Sequence, residues 1–142
     1  MVSGGFRSFI EPLAEELGLN PAERLFANRF VFPETKASED SGVNETGSEV
    51  FASFDTNEPT SASGGKARAV ATIIEKFLKP DEGKSDGGNS PCVIMVGDGA
   101  TDLEAKPPAA AVIGFGGVVA RQKVRDEADM FVTSFDEIAA LL

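Results

Sequence analysis

The chain of 142 residues lacks histidine, tryptophan and tyrosine, and Cys92 is its single cysteine. Without histidine, a Ser-His-Asp triad, a Cys-His dyad and a histidine-based zinc site are all excluded. Any metal site must use oxygen ligands, which favours Mg²⁺ or Ca²⁺. One cysteine cannot form an internal disulfide, so a reducing compartment is the default. Because Cys92 opens an apolar strand, we expect it to belong to the core.

Long apolar stretches and an excess of positive charge are also missing. There is no apolar run of about 18 residues, so we expect no transmembrane helix. The formal net charge is −10, which argues against nucleic-acid binding, since that function needs a basic patch. The first five residues do not resemble a signal or transit peptide. We therefore expect neither a membrane nor a nucleic acid as a partner.

The length suits a single domain covering residues 1–142. Two segments, 33–48 and 80–90, are rich in small and acidic residues and poor in large apolar ones. That composition is typical of mobile inserts on the surface of a domain. The remaining sequence is ordinary for a globular protein, with 42% hydrophobic and 25% charged residues.

Apolar spacing predicts an alternation of helices and strands. Helical periodicity is present over 6–17 and again over 66–78, where the apolar positions form one face. Strand-like runs cover 25–32 and 50–54, and we expect these two to form a β-hairpin. After residue 92, three strand-helix units follow one another. This alternation predicts an α/β fold with a parallel sheet covered on both faces.

Several chemically useful residues are expected at one edge of that sheet. Ligands of open α/β sheets bind outside the carboxyl ends of the strands. Ser3–Gly5 and Gly97–Gly99 follow strands, and Lys66 begins a helix after a glycine pair. A hydroxyl near a helix N-terminus, a lysine and carboxylates suit a phosphate group with Mg²⁺. We therefore predict a phosphate-plus-Mg²⁺ site.

Each of these signals also has an ordinary structural explanation. The Ser3–Gly5 stretch reads equally as a turn, and Lys66 as a solvated helix start. Asp98 follows an apolar strand, where a carboxylate needs a partner, but it could simply cap a helix, as could Asp102. Arg121 could be a surface arginine. Only their order and spacing taken together make the pattern specific.

The motifs resemble those of the phosphoserine phosphatase family in the haloacid dehalogenase-like hydrolase superfamily. The resemblance spans nearly the whole chain outside the two inserts. It rests on the stretches Ser3-Gly4-Gly5-Phe6-Arg7-Ser8, Phe26-Ala27-Asn28-Arg29, Phe54-Asp55 with Pro59-Thr60, Ser63-Gly64-Gly65-Lys66, Gly97-Asp98-Gly99-Ala100-Thr101-Asp102, and Gly114-Phe115-Gly116-Gly117 with Arg121. It implies a Rossmann-like three-layer core with a β-hairpin insert.

The resemblance implies roles for the matching residues on the phosphate side. Ser3, with the backbone of Gly4 and Gly5, would bind the transferring phosphoryl group. Lys66 would neutralise the phosphate and the nucleophile. Asp98 would be the Mg²⁺ ligand, and Asp102 would support that metal or position Lys66.

On the substrate side, the resemblance implies that Thr101 and Arg121 contact the substrate. The activity implied is Mg²⁺-dependent hydrolysis of O-phosphoserine to L-serine and phosphate in serine biosynthesis. The substrate is a small molecule, and the expected location is the cytoplasm, with an organelle as the alternative.

One departure from the family pattern is large. Members of the family carry a D-x-D-x-T motif, whose first aspartate is the nucleophile and whose second is the general acid. No D-x-D-x-T stretch occurs in the 142 residues, and the helical cap of the family is missing too. We therefore expect the chain to be a fragment, an incomplete gene model or a decayed copy, truncated at its N-terminus and without activity by itself.

The alternative hypothesis is a non-catalytic module that binds phosphate or Mg²⁺ and complements or regulates a longer relative. Pairing with an N-terminal half, or with a second copy as a homodimer, would fit either hypothesis. A generic nucleotide-binding domain is disfavoured, since neither G-x-G-x-x-G nor G-x-x-x-x-G-K-[ST] is present.

Overall fold

The computed structural model describes residues 1–32, 53–78 and 92–141. The inserts expected at 33–48 and 80–90 lie outside these residues. The chain divides into two compact units, Met1–Ala62 and Ser63–Leu142, and each is described by itself. The assignment of residues 1–142 to one domain therefore stays a prediction. No helix within the described ranges is long and apolar enough to cross a membrane.

The first unit begins with a parallel β-α-α-β arrangement. Its elements are β1 (Val2–Phe6), α1 (Arg7–Glu16), α2 (Pro21–Arg24) and β2 (Phe26–Asn28). Strands β1 and β2 pair in parallel. The turn of helix α2 starts with a proline at its first position, and the Asn20 side chain accepts a hydrogen bond from the N–H of Ala22 at 3.1 Å.

Helix α1 is held in place by the packing of its apolar face, and a glycine follows its C-terminus. Ala14 is fully buried and forms a small core with Leu25 and Ala27. The helix ends at Glu16, and Gly18 follows it with a φ of 72°, in the left-handed region that glycine adopts without strain. The N–H of Leu19 then bonds to the carbonyl of Ala14 at 2.9 Å, which satisfies an end group of the helix.

The expected hairpin is present in its described part. Strands β3 (Phe30–Val31) and β4 (Ser53–Phe54) pair antiparallel. The prediction of one strand over 25–32 is wrong, because β2 belongs to the parallel pair and β3 to the hairpin. The chain changes partner around Arg29, so the stretch 25–32 is divided between two sheets.

The second unit carries a three-stranded sheet with its helices. Its elements are α3 (Gly65–Ile73), a π-helical continuation (Ile74–Leu78), β5 (Ile94–Gly97), α4 (Ala100–Leu103), β6 (Ala111–Phe115), α5 (Gln122–Glu127), β7 (Met130–Val132) and α6 (Phe135–Ala139). The strand order is β5-β6-β7, and both pairings are parallel. The predicted α/β class with parallel strands is confirmed.

Burial differs between the two sides of β5. Met95 and its partner on β6, Val112, are buried. Ile94 and Val96, which point to the opposite face of β5, are 47% and 39% exposed. One side of β5 is therefore partly open to solvent in the described structure. Cys92 is exposed ahead of the strand, which corrects its assignment to the core.

Glycines after β6 allow close packing of the next elements. A Cβ placed on Gly114 would lie 2.7 Å from a methyl carbon of Val124, and one on Gly116 would lie 2.3 Å from the Phe131 ring. Both distances are well inside van der Waals contact, so side chains there would displace α5 or β7. Glycine is thus needed at these two positions so that α5 and β7 can pack closely against the end of β6.

Asp129, the residue before β7, connects that strand to β6 through hydrogen bonds. Its Oδ2 accepts a hydrogen bond from the N–H of Val112 at 2.8 Å, and its Oδ1 accepts one from the Lys106 ammonium. Its own N–H donates to the carbonyl of Val112 at 3.0 Å. The hydrogen bond from Lys106, followed by that from Val112, lowers the pKa of Asp129 below its ordinary value of 3.8.

We expect Asp129→Asn to remove part of the acid sensitivity of this unit. A carboxyl whose pKa is lowered on folding stabilises the native state above its unfolded pKa, and the contribution disappears as pH falls through the folded pKa. The urea midpoint of the variant should lie below that of the wild type at about pH 7, and the two should converge at about pH 2–3. Asp126→Asn, which changes a carboxylate on α5, is the control and should keep the wild-type pH dependence. A constant gap between Asp129→Asn and the wild type would contradict the assignment.

Candidate functional site

The carboxyl end of β5 carries a buried ion pair. Asp102, in the first turn of α4, is 4% exposed. Its Oδ1 accepts a hydrogen bond from the ammonium of Lys66 at 2.5 Å, and its Oδ2 accepts one from the N–H of Gly99 at 3.0 Å. The structure therefore brings together two predicted site residues that are 36 positions apart in the chain.

Gly97 makes room for this pair. A Cβ at that position would lie 2.1 Å from Cγ of Asp102 and 2.3 Å from its Oδ2. The carboxylate thus occupies the space that any side chain at position 97 would need. Because Gly97 ends β5, the strand end and the ion pair are packed against each other.

Asp98 turns the other way and pairs with Arg121. Its carboxylate is largely exposed, with 55% of the side chain accessible. One guanidinium nitrogen of Arg121 donates to Oδ2 of Asp98 at 3.0 Å and to its backbone carbonyl at 3.1 Å. Arg121 is the N-cap residue of α5. Two further predicted site residues are therefore in direct contact.

Of the two carboxylates that follow β5, only that of Asp98 is suited to bind a divalent cation. Across residues 1–32, 53–78 and 92–141, no group of three or more His, Cys, Asp or Glu side chains could enclose a metal. Mg²⁺, however, is commonly held by one or two carboxylates together with phosphate oxygens. The exposed carboxylate of Asp98 suits that arrangement. Asp102 suits it less, because its side chain is buried and already forms an ion pair with Lys66.

An apolar cavity of about 380 Å³ borders the Asp98 carboxylate. It is lined by Val96, Gly97, Asp98, Phe115, Val118 and Phe135. The rings of Phe115 and Phe135 are stacked with their centroids 4.3 Å apart, which gives the cavity a flat aromatic wall. Thr101 is exposed in the first turn of α4. The sequence alone did not indicate this cavity.

In the first unit, the Ser3–Gly5 stretch is held by a hydrogen-bond chain. The hydroxyl of Ser3 accepts a bond from the N–H of Gly5 at 3.0 Å. The side-chain amide of Asn28 donates to the carbonyl of Gly4 at 2.9 Å, and its Oδ1 accepts from the hydroxyl of Thr60 at 2.9 Å. Thr60 is buried at 9% exposure. These bonds fix the backbone of Ser3–Gly5, which lies within β1 and not after a strand as the sequence predicted.

Sequence reasoning assigned no role to Asn28 or Thr60. Both lie in stretches that carry the family resemblance, and this was the only signal that could have singled them out. The participation of Ser3–Gly5 in one site with Lys66 and Asp98 stays a prediction, as do the individual roles of the predicted residues.

Comparison with known proteins confirms the expected resemblance. No family model matches the chain. It is 39% identical over 142 residues to phosphoserine phosphatase of Bos taurus, covering all of this chain and 52% of the relative. It is 41% identical over 138 residues to the Homo sapiens protein of the same name, covering 97% of this chain and 50% of the relative. The chain thus spans about half the length of the curated relatives it matches.

Solved structures agree on the fold. A phosphoserine phosphohydrolase-like protein from Francisella tularensis superposes with a TM-score of 0.64 at 25% identity, covering 99% of this chain and 53% of that one. A phosphoserine phosphatase in apo form gives a TM-score of 0.65 at 23% identity, covering 99% of this chain and 56% of the other. The haloacid dehalogenase-like fold expected from the motifs is confirmed.

We expect Gly97→Ala to destabilise the second unit strongly. The added methyl overlaps the Asp102 carboxylate, so either the strand end or the ion pair must move, and overpacking of this kind costs about 1–3 kcal/mol. Denaturant unfolding measures the loss. Gly99→Ala is the matched control, because its Cβ would approach Asp102 only to 3.3 Å. Equal stability of the two variants would contradict the packing account.

We expect Thr60→Val to destabilise the first unit by roughly 1 kcal/mol, because it keeps the shape of the side chain but removes a buried hydrogen bond to Asn28. Hydrogen exchange at the amides of Gly4 and Gly5 should become faster. Ser61→Ala, which removes the neighbouring hydroxyl bonded to the carbonyl of Thr56, should leave that exchange unchanged. Unaltered exchange in the Thr60 variant would mean that Asn28 is held without it.

Proposed function

We propose that this chain supplies the phosphate- and metal-binding part of a phosphoserine phosphatase. The reaction is the Mg²⁺-dependent hydrolysis of O-phosphoserine to L-serine and phosphate, a step of serine biosynthesis. Identity of about 40% to half of each curated relative supports the assignment. The observation that carries it is the buried Lys66–Asp102 pair, with the exposed carboxylate of Asp98 four residues before Asp102 in the chain.

Lys66 is proposed to stabilise charge on the transferring phosphoryl group. An ammonium fixed in place before reaction stabilises developing negative charge without reorganising solvent. The bond to Asp102 provides this fixation, and Lys66 is only 16% exposed at its side chain. Asp102 is thus assigned as the residue that positions Lys66, the second of the two roles considered for it.

Asp98 is proposed to hold Mg²⁺. When bound, that ion would neutralise phosphate charge and orient the phosphoryl group. The exposure and oxygen chemistry of Asp98 support this role. Ser3 with Gly4 and Gly5 would bind the phosphoryl oxygens through a hydroxyl and backbone N–H groups, in keeping with anion binding near the start of a helix.

The substrate side is assigned to Thr101 and Arg121. Arg121 contacts the proposed metal ligand Asp98, and Thr101 follows that residue by three positions, in the first turn of α4. The nucleophile and the general acid are proposed to come from the part of the phosphatase that this chain does not match, since no D-x-D-x-T stretch occurs here.

A non-catalytic complementing module is the second candidate function. It is favoured by the missing nucleophile and by β5, which is an edge strand within the described residues and has Ile94 and Val96 exposed. In this case the chain would associate with a longer relative, or with a second copy, and its own site would not turn over substrate.

The proposed location is the cytoplasm, with an organelle as the alternative. A single cysteine favours a reducing compartment. One relative, from Arabidopsis thaliana, is called a chloroplastic phosphoserine phosphatase, and it is this similarity that keeps the organellar alternative.

The test combines this chain with the half of the bovine phosphatase that it does not match. The mixture, or a fusion of the two, should release phosphate from O-phosphoserine when Mg²⁺ is present. Lys66→Ala should lower kcat about 10²-fold or more, because a preorganised charge stabiliser is lost. Asp98→Asn should raise the Mg²⁺ concentration needed for half-maximal rate.

Lys76→Ala is the control, since Lys76 is an exposed lysine in the π-helical continuation of α3; its turnover should match that of the wild type. Turnover that survives Lys66→Ala unchanged would reject the catalytic assignment. Stimulation of an intact relative that is indifferent to Lys66 and Asp98 would instead support the complementing module.

A further inference from the structure

We infer that Arg121 is a counter-ion that divalent metal displaces from Asp98, and that its release couples metal binding to binding of the anionic substrate. The inference rests on the proposed function, because it takes Asp98 as the metal ligand. It adds a relation between two site residues that neither the motifs nor the relatives supply.

The contact itself carries the argument. A single Nη1 of Arg121 donates to Oδ2 of Asp98 at 3.0 Å and to the backbone carbonyl of the same residue at 3.1 Å. The guanidinium therefore sits on the carboxylate that would ligate the metal. Two cations cannot share one exposed carboxylate at short range without mutual repulsion, so metal binding weakens or breaks the pair.

Arg121 is free to move without unfolding its surroundings. Half of its side chain is exposed. It is the N-cap residue of α5, yet its side chain makes no capping hydrogen bond, so departure of the guanidinium leaves the helix start intact. The segment just before it, 117–120, is exposed as well. The side chain can thus exchange Asp98 for another anion at little structural cost.

Linkage then sets the sign of the coupling. Metal binding at Asp98 and anion binding at Arg121 each require the pair to open. The ligand that binds second finds the Arg121–Asp98 pair already open, so each ligand raises the affinity for the other. By thermodynamic reciprocity, the factor by which metal raises the affinity for the anion equals the factor by which the anion raises the affinity for metal. Exposed ion pairs are weak, so opening this one should change an affinity by about two- to fivefold.

The first measurement is Mn²⁺ binding to the 142-residue chain, followed by the electron paramagnetic resonance signal of the free ion at low salt. Arg121→Ala should bind Mn²⁺ about two- to fivefold more tightly than Lys123→Ala. Lys123 lies on the same helix, is exposed and carries the same charge, so it controls for the lost positive charge. Asp98→Asn should bind Mn²⁺ more weakly than the wild type.

The second measurement follows the side-chain Nε–H signal of Arg121 by nuclear magnetic resonance during addition of Mg²⁺. The signal should shift in the wild type and stay in place in Asp98→Asn. Inorganic phosphate should shift the same signal at lower concentration when Mg²⁺ is present.

The outcomes separate the two proposals. If metal binds and depends on Asp98, but Arg121→Ala equals Lys123→Ala and the Arg121 signal does not move, the coupling is overturned and the metal assignment stands. If Asp98→Asn binds metal as well as the wild type, or if no variant binds metal, the metal role of Asp98 and the coupling are both overturned.

Discussion

The buried carboxylate of Asp102 is the constraint around which the candidate site is organised. A carboxylate removed from water is costly unless charges and hydrogen-bond donors compensate for it. Here the ammonium of Lys66 and the N–H of Gly99 provide that compensation. The requirement ties the start of α3 to the turn after β5, and it leaves Asp98 as the carboxylate that faces solvent. One aspartate is thereby committed to structure and the other is available for a ligand.

Much of this arrangement follows from sequence, because the rule that places ligands at the carboxyl ends of parallel strands needs only the order of elements. This rule predicts that Lys66 and the Gly97–Gly99 turn lie at the same edge of the sheet. It could not decide between two uses of Asp102, a helix cap and a partner of Lys66. In the structure Asp102 does both, with one oxygen for each. Spacing gives the candidates for a carboxylate, but the division of its two oxygens depends on three-dimensional geometry.

Other features could not be predicted for a related reason. The apolar run 25–32 indicates extended chain, yet its partners on either side are set by segments distant in sequence, so the change from β2 to β3 is invisible in the pattern. In the same way, the alternation of strands and helices predicts a sheet covered on both faces, but it cannot predict the exposure of Ile94 and Val96, which depends on what packs against them. The hydrogen bond between Asn28 and Thr60 joins residues 32 positions apart, and neither residue type signals such a contact.

The close approach of Gly97 to Asp102 has a consequence for how this protein can vary. The two positions share one small volume, so a larger residue at 97 is tolerated only with a shorter residue at 102. A shorter residue would no longer reach Lys66. The effects of substitutions at the two positions on the free energy of unfolding are therefore strongly non-additive, and the two residues can change only together. A glycine that looks like a simple hinge in fact restricts the mutational paths by which the neighbouring ion pair could be exchanged for another.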